Sequence, residues 1–466
     1  MSDEKRALLA ERYAGDTGGT IVLLSSAEPA YADPAAEVIR LLRDRPEPLH
    51  VIALSPSVRE TWNQSYDIQS DLLVPHDNPD PFNRDAILAA TEAFLTAYQI
   101  AVEQRLQSVG GRSANLLGSR TSDFVDAATR DLDLSLLVFQ YAVSVERLDM
   151  ILRLARPVAL YNTSIAHGLN DAIPHLCRRH TVREVSSIVT SVDSEFQHAP
   201  TRAGAGEYLA VVGEDQIAPL VEQGHSAESI VPVGRADLDP MIRAWTPERG
   251  RAYLRTIRPE LDPARTIAIV VTGLTSADSA PAWIEQLGEI ARQRDDIDVI
   301  VNPHIAHGGP TDQALNTLRL TEPISLIPGQ DDDPHAYLSG ADFIVTDLRD
   351  TSTLAILYGK PVIAVHFASD TSKDNRFDDE GVMLRATNAV ELDRAVHRLL
   401  DSAVARAKLA AGRAAYIRRH FTSNDGHAAD RIADLLSGTR GPYWGTKGGP
   451  PVTSNVRTQV LPDRAL

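Results

Sequence analysis

The stretch ADFIVTDLRDTSTLAILYGKPVIAV, residues 341–365, decides the fold. The apolar run DFIVTD (342–347) reads as a buried strand. A polar loop follows it with two acids, an arginine and three hydroxyls, then a helical segment at 351–359, and Gly-Lys-Pro leads into a second apolar run, PVIAVHF (361–367). Strand, helix and strand in that order form the unit from which parallel sheets are built.

Working outward, the same unit recurs along most of the chain. Upstream in the same set lie TIAIVVTG (266–273), a helix over 280–294, DVIVNPH (298–304), a helix near 311–319, ISLIPG (324–329) and the short helix PHAYLSG. An earlier set holds TIVLLSS (20–26), LHVIALS (49–55), PVALYNTS (157–164), VREVSSIVTS (182–191), EYLAVVGED (207–215) and SIVPVG (229–234), with long helical segments at about 85–110 and 121–155. Past residue 390, apolar residues at helical spacing such as Leu392, Val396 and Leu399 predict closing helices, the last capped by Asp425 and ended by Gly438. The predicted fold is α/β, with two Rossmann-like domains facing across a cleft and the site at the carboxyl ends of the strands. The expected division is a first domain over 1–235, a linker over 236–263, a second domain over 264–400, closing helices over 401–438 and an unstructured tail over 439–466.

Composition bounds the function. The 466 residues carry a net charge of −17, which opposes non-specific binding to nucleic acid or to an anionic membrane. The single cysteine, Cys177, excludes an internal disulfide and reads as a buried structural thiol in a reducing compartment. No window approaches the roughly 20 apolar residues of a membrane span, and the N-terminus shows no signal-like apolar run, so a cytoplasmic protein is expected.

Two readings of the 347–353 loop stand side by side. The free amides and positive dipole end of a helix, with Arg349 and the hydroxyls of Thr351, Ser352 and Thr353, suit a diphosphate, against the charge of Asp350. Alternatively, Asp350 or Thr351 simply caps the helix. Thr272 and Gly273, in VVTGLTSAD, follow the first strand of the same set and allow backbone to approach phosphate, or form an ordinary turn. His304 and His307 follow a strand end and lack a third ligand for a metal; His304 suits phosphate contact or proton transfer. The acidic run GQDDDPHA could take a hard cation or cap the next helix. In the first set, Asn162, His167 and Gly168 follow PVALYNTS, and His167 suits a general base or a structural role.

Four stretches between about 157 and 438 resemble glycosyltransferases of the GT-B type, nearest the CDP-glycerol glycerophosphotransferase and surface-glycopolymer group, relatives of the non-hydrolysing UDP-GlcNAc 2-epimerases. They are EYLAVVGEDQIAPLVEQGHSAESIVPVGRADLD, DVIVNPH, the opening stretch and HFTSNDGHAADRIADLL. The resemblance implies His167 as base, His304 on donor phosphate, and paired serine positions at Arg349 and Asp350, with Ser352 and Thr353 supplying hydroxyls slightly later. It further implies a nucleotide-diphosphate sugar or alditol donor, a hydroxyl acceptor, no cofactor and no bound metal. The chain departs from the family at Ile305, where proline is usual, at Asn302, where a basic residue is common, and at Leu354, Ala355 and Ile356, where an acid is missing. An epimerase or hydrolase and a non-catalytic nucleotide-sugar partner are the alternatives; the paired-glutamate helix of the epimerases does not follow Asp347.

Overall fold

The computed structural model describes residues 19–25, 29–45, 47–72, 88–97, 100, 104, 134–163, 169, 172–188, 207–272, 282–303, 324–326, 333–347, 349–365, 381–439 and 444. The chain divides into two compact units: Met1–Val211 with Gln216–Val231 and Ala429–Leu466, and Val212–Asp215 with Pro232–Ala428.

In the first unit, β1 (Ile21–Ser25) leads to α1 (Pro29–Arg43), β2 (Leu49–Ala53), α2 (Pro56–Ser65) and the two-residue β3 (Asp71–Leu72). Residues 88–97 are helical. Then come α3 (Leu134–Ala155), β4 (Ala159–Asn162), α4 (Ile173–His180), β5 (Arg183–Ser187), β6 (Tyr208–Val211), α5 (Ile217–Glu222) and β7 (Ile230–Pro232). The strand order is 3-2-1-4-5-6-7, and β1 pairs in parallel with both β2 and β4. Because β1 is flanked by helices on both faces, all five of its residues are buried, which is why it reads as an unbroken apolar run.

The polar stretch expected as a linker is folded. It contains α6 (Asp239–Ala244) and α7 (Pro247–Ile257), both with proline at the start, and the Thr246 side chain accepts from the Arg249 amide. Pro247 fits because a first-turn residue has no intrahelical bond to lose.

The second unit continues with β8 (Thr266–Thr272), α8 (Ala282–Gln293), β9 (Ile297–Pro303), β10 (Ile324–Leu326), α9 (Pro334–Gly340), β11 (Phe343–Thr346), α10 (Arg349–Leu357), β12 (Val362–Val365) and β13 (Leu384–Ala386). The strand order is 10-9-8-11-12-13. Along β8, Ile267, Ile269 and Val271 pack into one apolar cluster, while Ala268 and Val270 pack into another on the opposite face. The two-residue period of a strand therefore serves two helix layers at once. Helices α11 (Ala389–Asp401) and α12 (Ala403–Phe421) close the unit, separated at Ser402, whose side chain accepts from the Ala405 amide.

The last helix, α13 (Ala428–Ser437), belongs with the first unit. Arg45 donates to the Ala433 carbonyl and the Asp434 carboxylate, each at 3.3 Å, and Arg183 donates to the Leu436 carbonyl at 3.2 Å. Gly438 ends the helix at φ +68°, and an added Cβ would strike the Arg183 guanidinium. Asp425 lies just before the helix, accepting from the His427 amide at 3.1 Å. Trp444, in the stretch expected as a tail, donates to Asp434 at 3.0 Å.

Candidate functional site

The second sheet reverses its winding between β8 and β11. From β8 the chain moves outward through β9 and β10, then returns to place β11 on the other side of β8. Helices on opposite faces diverge at such a reversal, and the carboxyl edge there is left open for a ligand. The register fixes which residues meet at that edge: Thr346 pairs with Val271, and Thr272 with Pro303. Three connections therefore leave the sheet side by side, after Thr272, after Pro303 and after Thr346. Gly273 and His304, the first residues beyond two of those ends, lie outside the described residues, as do the side chains of Thr272, Arg349 and Asp350.

Helix α10 begins at Arg349, two residues before the expected start. Asp350 and Thr351 are therefore first-turn residues rather than caps, and the free backbone amides are those of about residues 349–351. An acid in this turn is favourable to the helix itself, because it faces the positive end of the dipole. The shift also rotates the hydroxyls. Thr351 keeps 9% of its exposure and Ser352 4%, both buried, while Thr353 is half-buried and Asp347 exposed. Of the three hydroxyls expected to meet phosphate, Thr353 is the one with substantial exposure.

The acidic run ends in a cap. One carboxylate oxygen of Asp333 accepts from the His335 amide at 2.9 Å, at the start of α9, and the other accepts from the Trp245 indole at 2.7 Å. His335 then meets the Tyr358 hydroxyl at 2.9 Å. Burial pushes the His335 imidazole down and the Tyr358 phenol up.

The first sheet has its own reversal, between β1 and β4. At its carboxyl edge the Thr163 amide donates to the Leu24 carbonyl at 3.0 Å, and the Thr163 hydroxyl lies 2.6 Å from Ser25 Oγ. Ser25, Asn162 and Thr163 are all buried there. Ser25 and Thr163 escaped sequence reasoning, although a hydroxyl directly at the end of an apolar strand was the available signal. His167 and Gly168, four and five residues past Thr163, lie outside the described residues.

Cys177 is buried in α4, as expected, and burial pushes its thiol up.

Each unit is thus a parallel α/β sheet of Rossmann type with a reversal of winding, the doubly-wound class of α/β fold. No family model matches the sequence, and no curated protein matches it. The fold has counterparts among solved structures. The UDP-GlcNAc 2-epimerase from Neisseria meningitidis, bound to UDP-GlcNAc, is similar with a TM-score of 0.51 at 12% identity, over 90% of this chain and 99% of that one. The UDP-GlcNAc 2-epimerase from Methanocaldococcus jannaschii gives 0.48 at 13% identity over 90% and 99%. A glycosyltransferase from Rickettsia africae ESF-5 gives 0.47 at 13% identity over 91% and 99%. At these identities the likeness is one of fold.

Proposed function

We propose that this chain is a metal-independent transferase that moves a sugar or alditol phosphate from a nucleotide-diphosphate donor to a hydroxyl acceptor, in the manner of cell-surface glycopolymer synthesis. The observation that carries the reading is the convergence of β8, β9 and β11 at the reversal of the second sheet, where α10 begins. A helix N-terminus at such an edge stabilises anionic charge with fixed dipoles, so charge developing on a departing nucleotide diphosphate is offset without reorganisation. In this reading the amides of residues 349–351, Thr353 and the Thr272–Gly273 turn hold the diphosphate. Arg349 and His304 add positive charge or hydrogen bonds to it, and His167 takes the acceptor proton.

The test is release of free nucleotide from UDP-, CDP-, GDP- and dTDP-linked donors with and without hydroxyl acceptors. Release that requires both donor and acceptor supports the transferase. Binding without release in any combination would leave a nucleotide-sugar binder instead.

A second reading, a sugar-nucleotide epimerase or hydrolase, draws on the likeness to the Neisseria enzyme. It needs acids that move a proton at a sugar carbon. Helix α10, RDTSTLAIL, holds no glutamate, which favours transfer. Product formed from donor alone would reverse that preference.

A further inference from the structure

The first unit contains a buried acid that nothing in the proposed chemistry uses. Glu184, on β5, retains 2% of its exposure. Its Oε1 accepts from Ser186 at 2.9 Å, while its Oε2 is buried with no hydrogen-bond partner among the described residues. The β4 residue in register with it is Leu160, part of the apolar cluster that includes Leu152, Ile173, Leu176 and Cys177.

The charged groups of the surrounding elements make pairs of their own, and of them Arg178 acts on Glu184 through its charge. On α4, Arg178 meets His175 at 3.1 Å, and His180 pairs with Asp149 of α3 at 2.8 Å. Beside β6, Glu207 faces Arg183 at 3.5 Å. Among the described residues a carboxylate here would have one hydrogen bond and no ion-paired cation, a state that desolvation strongly disfavours.

We propose that Glu184 is held as a neutral acid in the folded first unit, and that its ionisation opens the corner between α4 and β5 and releases the Cys177 thiol. The proton passes to solvent and no other bond changes. The direction of the effect follows from linkage. Burial pushes the Glu184 carboxyl up to about 8, with the Ser186 hydrogen bond and the Arg178 charge pulling it back. The closed corner therefore keeps a proton that the open corner, with an ordinary carboxylate, has already lost. Closure is fully favoured below the ordinary carboxylate range and weakens about tenfold per pH unit as pH rises towards about 8. Cys177 shares the corner: its carbonyl accepts from the Val182 amide at 2.8 Å where α4 turns into β5, and its side chain packs in the cluster that holds Leu160.

Cys177 is the only cysteine, so it reports the opening without engineering. Its labelling by Ellman's reagent in the full-length wild type should rise about a hundredfold per pH unit between roughly pH 6 and 8. Ionisation of the acid and formation of the reactive thiolate each contribute about tenfold to that slope. In Glu184→Gln the slope should fall to about tenfold, leaving the thiolate contribution alone. Equal slopes in the two proteins overturn the proposal. Should the variant not fold, the wild type still decides: a slope of about a hundredfold supports the proposal and one of about tenfold overturns it.

Discussion

At the scale of single residues, the exposure of the hydroxyls on α10 changes which substitution should matter. Thr353 keeps surface that Thr351 and Ser352 do not. Thr353→Ala is expected to weaken binding of a nucleotide-diphosphate sugar by about 1.5–3 kcal/mol, the value of a hydrogen bond to a charged group. Ser352→Ala should change affinity little and lower stability instead; calorimetric titration and thermal unfolding of both variants separate the effects. Asp434 is the other residue on which much converges. It is buried and accepts from Arg45, Thr439 and Trp444. Asp434→Ala leaves three donors without their acceptor and should cost about 2–3 kcal/mol in a denaturant titration, with Asp434→Asn milder. For Glu184, the full distance between its folded and ordinary titration bounds the stability lost on raising the pH at about 5 kcal/mol. The Gln variant should accordingly be the more stable protein above pH 8 and lose that advantage towards pH 5.

At the scale of elements, the sequence revealed strands more readily than helix limits. Buried parallel strands such as Thr266–Thr272 and Val362–Val365 are continuous apolar runs, and burial on both faces is what makes them so. The short strands Asp71–Leu72 and Leu384–Ala386 were missed because they are too brief to show a period and carry polar residues. Helices α6 and α7 were missed for another reason: their composition is that of a loop, and only the prolines and the Thr246 cap mark them. Their importance lies in packing that no local pattern encodes. Gly250 of α7 lies against Ser339 and Gly340 of α9, so closely that an added Cβ would overlap backbone atoms of Ala336 and Gly340. Rotamer changes cannot relieve a clash with backbone. Gly250→Ala should therefore cost about 3 kcal/mol, although alanine favours helices, and an unchanged melting temperature would remove this crossing from the list of constraints.

At the scale of the whole molecule, topology was legible because the order of strands and helices follows from alternation, and handedness then limits how they can be arranged. The placement of candidate residues was legible to the level of a strand end and no further. Thr272, Thr346 and Pro303 meet through register, which no single stretch of sequence specifies. A ligand held at that edge should stabilise the native state by mass action. At a concentration one hundred times its dissociation constant, a cognate nucleotide conjugate should add about 2.7 kcal/mol and raise the melting temperature accordingly. A screen of UDP, CDP, GDP and dTDP conjugates in which none raises it would argue against a nucleotide site.

The discontinuity of the first unit sets the order in which the protein can mature. The second unit, Val212–Asp215 with Pro232–Ala428, lies wholly before residue 429 and can complete while the nascent chain is still being extended. The N-terminal part, although it leaves the ribosome first, waits for Ile432, Leu435 and Leu436, which are buried in the finished molecule. Domains usually mature in the order of their synthesis; here the later one should finish first. A fragment of residues 212–428 should accordingly resist protease across 232–428, whereas residues 1–231 should be digested until a peptide carrying 429–444 is supplied.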